Sequence, residues 1–133
     1  MAITDPISDL LTRIRNAQQC GVKYVKVPHS NIKLQICTIL KDEGMLDNVQ
    51  VVSDGTAKQA IKITLKYISK FNPLIRRLNR VSKPSRRVYV AKKDIPKPLN
   101  GFGVSILSTS KGVLSGREAR LKNVGGELLA VLY

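Results

Sequence analysis

Few side chains of this 133-residue chain could carry covalent chemistry, and none are spaced to do it together. The single histidine, His29, follows Pro28 at a strand-to-helix turn, where a structural role outweighs proton transfer. The closest acids, Asp42 and Glu43, are neighbours just before Gly44 at a predicted helix end. Adjacent helical side chains point about 100° apart, which suits joint acid–base work poorly. Gly101-Phe102-Gly103 begins a dinucleotide-type pattern, but Ile106 stands where the third glycine belongs, and no Gly-Lys-Ser/Thr phosphate loop occurs. Cys20 and Cys37 are too few and too far apart for a metal knuckle and read as small reduced side chains. No catalytic residue, metal site or cofactor is expected.

Binding chemistry is better represented. Arg76-Arg77, Arg80, Lys83, Arg86-Arg87 and Lys92-Lys93 crowd one stretch, interleaved with Ser82, Ser85 and Tyr89. Guanidinium groups pair bidentately with phosphate, hydroxyls donate to phosphate or ribose, and a tyrosine ring stacks on a base. Downstream, Ser108-Thr109-Ser110-Lys111-Gly112 offers three consecutive hydroxyls, a cation and a glycine. Such a surface fits a sugar–phosphate edge or a folded-out nucleotide, although a Ser/Thr-rich turn is by itself more often only a turn.

The charge balance points the same way. Lys and Arg number 23 against nine acids, a formal net charge of +14. Self-repulsion on that scale costs stability, so a polyanionic partner is its natural explanation; a merely soluble basic protein is the bland alternative. Residues 1–66 carry a net +3 and residues 67–133 a net +11, so the grip is expected mainly from the C-terminal side. The apolar share of 43% is enough for a core. The N-terminus carries Asp5 and Asp9 and lacks the order of a signal peptide, and no apolar run approaches the ~20 residues that span a bilayer. A cytoplasmic protein without a membrane partner is expected.

The elements that would position these groups follow from spacing. Thr4 and Asp5 before Pro6 start a helix whose stripe is Ile7, Leu10, Leu11, Ile14 and Ala17, stopped by Gly21. Tyr24–Val27 reads as a strand. Ser30 or Asn31 caps a second helix with Ile32, Ile36, Ile39 and Leu40 on one face, ending at Gly44. Leu46–Val52 and Lys58–Tyr67 form a hairpin around Ser53-Asp54-Gly55, the second arm alternating Ile61, Ile63, Leu65 and Tyr67 with Lys62, Thr64 and Lys66. A polar joint near Ser69–Pro73 separates the halves, and Asn72–Ser82 stays ambiguous between helix and strand. Arg86–Val90 is a strand candidate with Val88 and Val90 on one face. Lys92–Asn100 is a connection, Val104–Leu107 a strand, Ser108–Gly112 a loop, Ser115–Lys122 a short helix opened by a Ser115/Glu118 capping box, and Glu127–Tyr133 a terminal strand. The expected fold is α+β, with an N-terminal α-β-α-β-β subdomain over residues 1–68 and a mainly β, RNA-binding subdomain with a short helix over residues 69–133.

The run from Gly101 through Ser108-Thr109-Ser110-Lys111-Gly112-Val113-Leu114, with Glu118-Ala119-Arg120 and Gly125-Gly126-Glu127, closely resembles the signature of the eighth small-subunit ribosomal protein family, bacterial type. Asp5 through Ala17 looks like that family's N-terminal helix, and Arg80–Pro84 with Arg87-Val88-Tyr89 like its middle. The matching stretches fall in order along nearly the whole chain; Val49–Ala60 is the part without a matching motif. The resemblance implies a non-enzymatic protein of the small ribosomal subunit, bacterial or organellar. It would bind a helical element in the central domain of small-subunit (16S) ribosomal RNA and support assembly of the platform. Small-subunit proteins five and twelve are the implied neighbours, and repression of the protein's own operon through a similar mRNA structure is an implied second role. By resemblance, Ser108, Thr109, Ser110 and Lys111, with Gly112, meet the irregular core of the RNA helix, flanked by Arg87, Tyr89 and the Gly125-Gly126-Glu127 turn. Lys92 and Lys93 add phosphate contacts. Glu127 either accepts from a base amino group or braces the Ser/Thr loop. Thr12, Arg15 and Asn16, with Ser30, Asn31 and Lys33, would touch a second RNA segment. A nucleic-acid-processing enzyme and a DNA-binding regulator are the rivals; the first needs a metal or an acid–base pair, and a reader of 2′-hydroxyls prefers RNA to DNA.

Overall fold

The computed structural model describes residues 5–53, 55, 58–69 and 72–133. They fall into two compact units, one Ser8–Ile75, the other Arg76–Tyr133 together with residues 5–7. No helix among the described residues is long and apolar enough to cross a membrane.

The first unit has the order α1 (Pro6–Cys20, from Ser8 onward in this unit), β1 (Tyr24–Pro28), α2 (Asn31–Asp42), β2 (Leu46–Ser53) and β3 (Gln59–Leu65). Helix α1 buries Leu10, Leu11 and Ile14. It stops where Gly21 turns left-handed at φ 71°, its amide bonding the Gln18 carbonyl while Val22 reaches back to Ala17. Ser30 is the cap of α2, its hydroxyl accepting the Lys33 amide at 3.3 Å. The α2 face of Ile36, Cys37, Ile39 and Leu40 is buried, and Gly44 closes the helix at φ 81°. The strands form an antiparallel sheet in the order β1-β3-β2, with Val27, Ile61 and Val51 in one row and Val25, Ile63 and Val49 in the next. The hairpin is as its period-two pattern predicts, except that its second arm ends at Leu65. Tyr67 begins a separate strand, β4 (Tyr67–Ser69), which pairs with β5 (Asn72–Pro73), and its hydroxyl donates to the Val22 carbonyl at 2.5 Å. Thr4 of the first helix start and Asp54 of the hairpin turn lie outside the described residues.

The second unit is built on β10 (Gly126–Leu132), the central strand of an antiparallel sheet. Along one edge it pairs with β6 (Leu78–Arg80) and β7 (Tyr89–Val90); along the other it pairs with β8 (Val104–Thr109), which carries β9 (Gly112–Ser115). The ambiguous stretch after Asn72 is therefore strand where it is regular. Arg86–Val90 is strand only at its last two residues, because Ser82 diverts the backbone: its hydroxyl takes the Val88 amide at 3.1 Å, and Lys83 bridges Arg86 in a turn. Strand β9 went unexpected in the sequence, since four residues, Gly112-Val113-Leu114-Ser115, show no usable period. Two 3₁₀ turns, Lys92–Asp94 and Pro98–Gly101, fill the proline-bearing connection. Ser115 caps α3 (Gly116–Leu121), its hydroxyl accepting the Glu118 amide at 3.2 Å. Ile95, Leu107, Leu114, Ala119 and Leu128 form a core cluster, with Val81, Val90, Val124 and Val131 packed around it. A bulge at Leu129 shifts the β10–β8 register, and the Leu129 carbonyl accepts from Arg80 and the Val81 amide instead.

Candidate nucleic-acid interface

Strand register in the second unit gathers groups that lie far apart in sequence. Glu127 on β10 faces Tyr89 of β7 on one side and Ser108 of β8 on the other, and Ser108 in turn faces Val113 of β9. Tyr89, Glu127 and Ser108 thus form one row across three strands, about 5 Å apart at each step. Gly125 and Gly126 make this row possible. A side chain at Gly125 would collide with the Val90 carbonyl oxygen, and one at Gly126 with the Ser108 carbonyl oxygen. Their role is close backbone approach, with β7 and β8 drawn in on either side of β10.

The hydroxyl-rich segment is tighter than its sequence suggests. Ser108 and Thr109 belong to β8, Gly112 begins β9, and only Ser110 and Lys111 form the loop. The Thr109 hydroxyl is engaged within the hairpin: it donates to the Gly112 carbonyl at 2.8 Å and accepts the Lys111 amide at 3.1 Å. Gly112 sits at φ 105°, a conformation that favours glycine. The turn is therefore locked from within, and it presents Ser110 and Lys111, both exposed.

The Glu127 carboxylate is engaged with Ser82 and Arg87 and not with the Ser/Thr loop. Its carboxylate accepts from the Ser82 hydroxyl at 2.5 Å and from the Arg87 guanidinium at 3.0 Å. Burial alone would raise its pKa, but the hydrogen bonds from Ser82 and Arg87, with the charges of Arg87 and Arg80, hold it below the ordinary carboxylate value. Arg87 is thereby fixed against the middle of the row, half exposed. Tyr89, 70% exposed, presents its ring beside it.

The basic cluster is less uniform than it reads in sequence. Arg80 pairs with Asp5 at 3.2 Å with little exposure, and Ser82 is wholly buried, so neither belongs to the outer surface. Lys92 donates to the Asn123 side chain, which ties the first 3₁₀ turn to the α3–β10 connection, where Asn123 is left-handed at φ 57°. Lys93 is exposed. Asn123 was not singled out in the sequence; an asparagine shortly before a double glycine is a signal for such a turn.

In the first unit Thr12, Arg15 and Asn16 share an exposed face of α1, one turn apart. The Ser30 hydroxyl is engaged as the α2 cap, Asn31 is exposed, and Lys33 is only 7% exposed. These six residues lie on a different unit from the Tyr89–Glu127–Ser108 row.

A small α+β chain whose polar groups are organised as a cationic, hydroxyl-bearing surface has the makings of a ribosomal protein, and the comparisons with known proteins agree. The family model described as ribosomal protein S8 matches residues 5–133. A protein of Streptococcus equi subsp. zooepidemicus called small ribosomal subunit protein uS8 is 52% identical over 134 aligned positions, covering the whole of both chains. Proteins of the same name from Streptococcus pneumoniae serotype 19F and Streptococcus suis are 51% and 52% identical, again over the full length of each. The chain belongs to the ribosomal protein S8 family. That family is one of structural ribosomal proteins and not of enzymes.

Proposed function

We propose that this protein is a structural component of the small ribosomal subunit that binds folded ribosomal RNA directly through both units and supports assembly of the platform. The second unit reads a distorted helix of the central domain: Ser110 and Lys111 enter its irregular core while Arg87 and Tyr89 grip its flank. Thr12, Arg15, Asn16 and Asn31 of the first unit hold a second segment. Small-subunit proteins five and twelve are the proposed neighbours, and repression of the operon through a similar mRNA structure is a secondary role.

What supports the reading is the row Tyr89–Glu127–Ser108 with Arg87 fastened to its acid. A-form RNA hides its major groove, so specificity comes from shape and from bases that leave the stack. A ring, a fixed guanidinium and an internally locked hairpin form a preorganised surface for such a site. Lys93 and its cationic neighbours contribute affinity that every RNA shares.

Competitive filter binding separates the two contributions. Ser110→Ala is expected to weaken the central-domain helix by up to about tenfold, the loss of one hydrogen bond, while leaving a scrambled helix unaffected. Lys93→Ala is expected to weaken both alike and to reduce the log–log salt slope by roughly 0.7–0.9. Equal losses for both RNAs on Ser110→Ala would overturn the specific loop. Duplex DNA of the same sequence should compete poorly.

A further inference from the structure

One face of the β1-β3-β2 sheet is buried through Val27, Ile61 and Ile63; the other carries two polar rows. In the first, Lys26, Lys62 and Gln50 lie directly opposite one another across the three strands. In the second, Tyr24, Thr64 and Asn48 do the same. Like charges placed directly opposite on neighbouring strands destabilise a sheet. Neither Lys26 nor Lys62 has a carboxylate partner among the described residues. Among the described residues Lys62 is compensated by the ring of Tyr24, whose centroid lies 4.1 Å from its ammonium, with Lys23 at 5.4 Å from the same ring. Tyr24 remains 46% exposed despite both cations.

A local rule broken on a surface, without internal relief, points to a partner that relieves it. We propose that the rim of this face, where Tyr24 and Lys26 are exposed and Lys62 half-buried around a covered Thr64, binds a single-stranded segment of RNA, with phosphates on Lys26 and Lys62 and a base on Tyr24. The aromatic ring decides between polyanions. An acidic peptide would satisfy the lysines but leave the ring idle, and an A-form duplex offers no free base face to stack on it. In the free protein the Lys62 ammonium occupies the ring; on binding it transfers to a phosphate and a base takes its place. The amides of Asn48 and Gln50 then lie where they can meet base edges. None of the residues assigned above to ribosomal RNA contact lies on this face, so the two sites succeed or fail separately.

The test uses the full-length chain and a short fluorescein-labelled uridine oligomer carrying one 4-thiouridine. Photocrosslinking to the wild-type protein should label the peptide containing Tyr24, and labelling confined to residues 76–133 would overturn the proposal. Tyr24→Leu should weaken oligomer binding about tenfold, the worth of one base stacked on an aromatic ring. Lys26→Gln with Lys62→Gln should lower the log–log salt slope by about 1.4, two single-strand phosphates. Both variants should keep the wild-type circular dichroism and affinity for the central-domain helix, and the double lysine variant should melt slightly higher because the opposed charges are gone. A polyglutamate peptide that displaces the oligomer equally well would overturn the assignment by showing a generic anion surface.

Discussion

Glu127 is an acid among cations, and its partners account for its position. Ser82 and Arg87 both donate to its carboxylate, and its pKa is depressed in the folded chain. A depressed carboxylate contributes stability that is fully present above its unfolded value of about 4.3 and is lost as pH falls through the lower folded value. Arg87 is half exposed, so the ion pair itself is screened and most of the effect comes from the hydrogen bonds. Glu127→Gln is expected to lower stability by about 1 kcal/mol at neutral pH and to flatten the acid limb of the stability–pH curve below the unfolded value. Urea unfolding across a pH series checks both; an unchanged acid limb would mean that Glu127 does not titrate as described. The glycines around this acid are not equivalent. A Cβ at Gly126 would strike the Ser108 backbone, whereas one at Gly112 meets open space and suffers only from its φ of 105°. Gly112→Ala should cost about 1–2 kcal/mol in backbone strain. Gly126→Ala should cost about 1–3 kcal/mol in overpacking and should also loosen the RNA grip by separating Tyr89 and Ser108. Thermal melts give the first effect and RNA binding the second.

At the scale of elements, the two cysteines report how helices α1 and α2 are packed. Cys37 sits on the buried face of α2, where burial pushes the thiol up to about 12, while Cys20 is exposed at the end of α1. Cys20, being accessible, should react with a disulfide reagent at once, and Cys37, covered and held as the thiol, only as the first unit opens. Two fast equivalents under native conditions would contradict the packing. Elements of this kind were legible because their apolar residues repeat: Leu10, Leu11 and Ile14 on α1, and Ile61, Ile63 and Leu65 on β3 each mark one face. The capping residues Ser30 and Ser115 were legible for the same local reason. Strand β9 was not, β6 was left open between helix and strand, and β7 was placed but drawn too long, since these strands are two to four residues long and defined by pairing to β10 or β8 rather than by pattern. The site shows the same division. Tyr89, Ser110 and Lys111 could be read as surface chemistry, but sequence cannot show that Ser82 and Arg80 turn inward or that Lys33 is nearly covered. Those depend on which neighbours the fold brings, and Asp5 lies 75 positions from the arginine it pairs with.

For the whole molecule, the net charge of +14 sets salt effects of opposite sign on folding and on binding. Asp5, Asp9 and Glu127 are each held by an arginine, yet cations outnumber acids by 23 to nine. Repulsion among the remainder therefore opposes the free fold. Screening at about 0.1 M salt, where the Debye length is near 10 Å, relieves that repulsion between separated surface cations. The melting temperature of the free protein should rise as salt increases from low to moderate concentration, by about 4 °C for each kcal/mol of repulsion removed. RNA affinity should fall over the same range, because each neutralised phosphate has released its counterions. Bound RNA supplies the relief that salt supplies to the free chain, so the melting temperature of the complex should decline where that of the free protein climbs. Calorimetric melts of both species along one salt series test this crossing. If salt lowers the melting temperature of the free chain as well, attractive ion pairs outweigh repulsion and the cationic surplus is not what makes the fold depend on its partner.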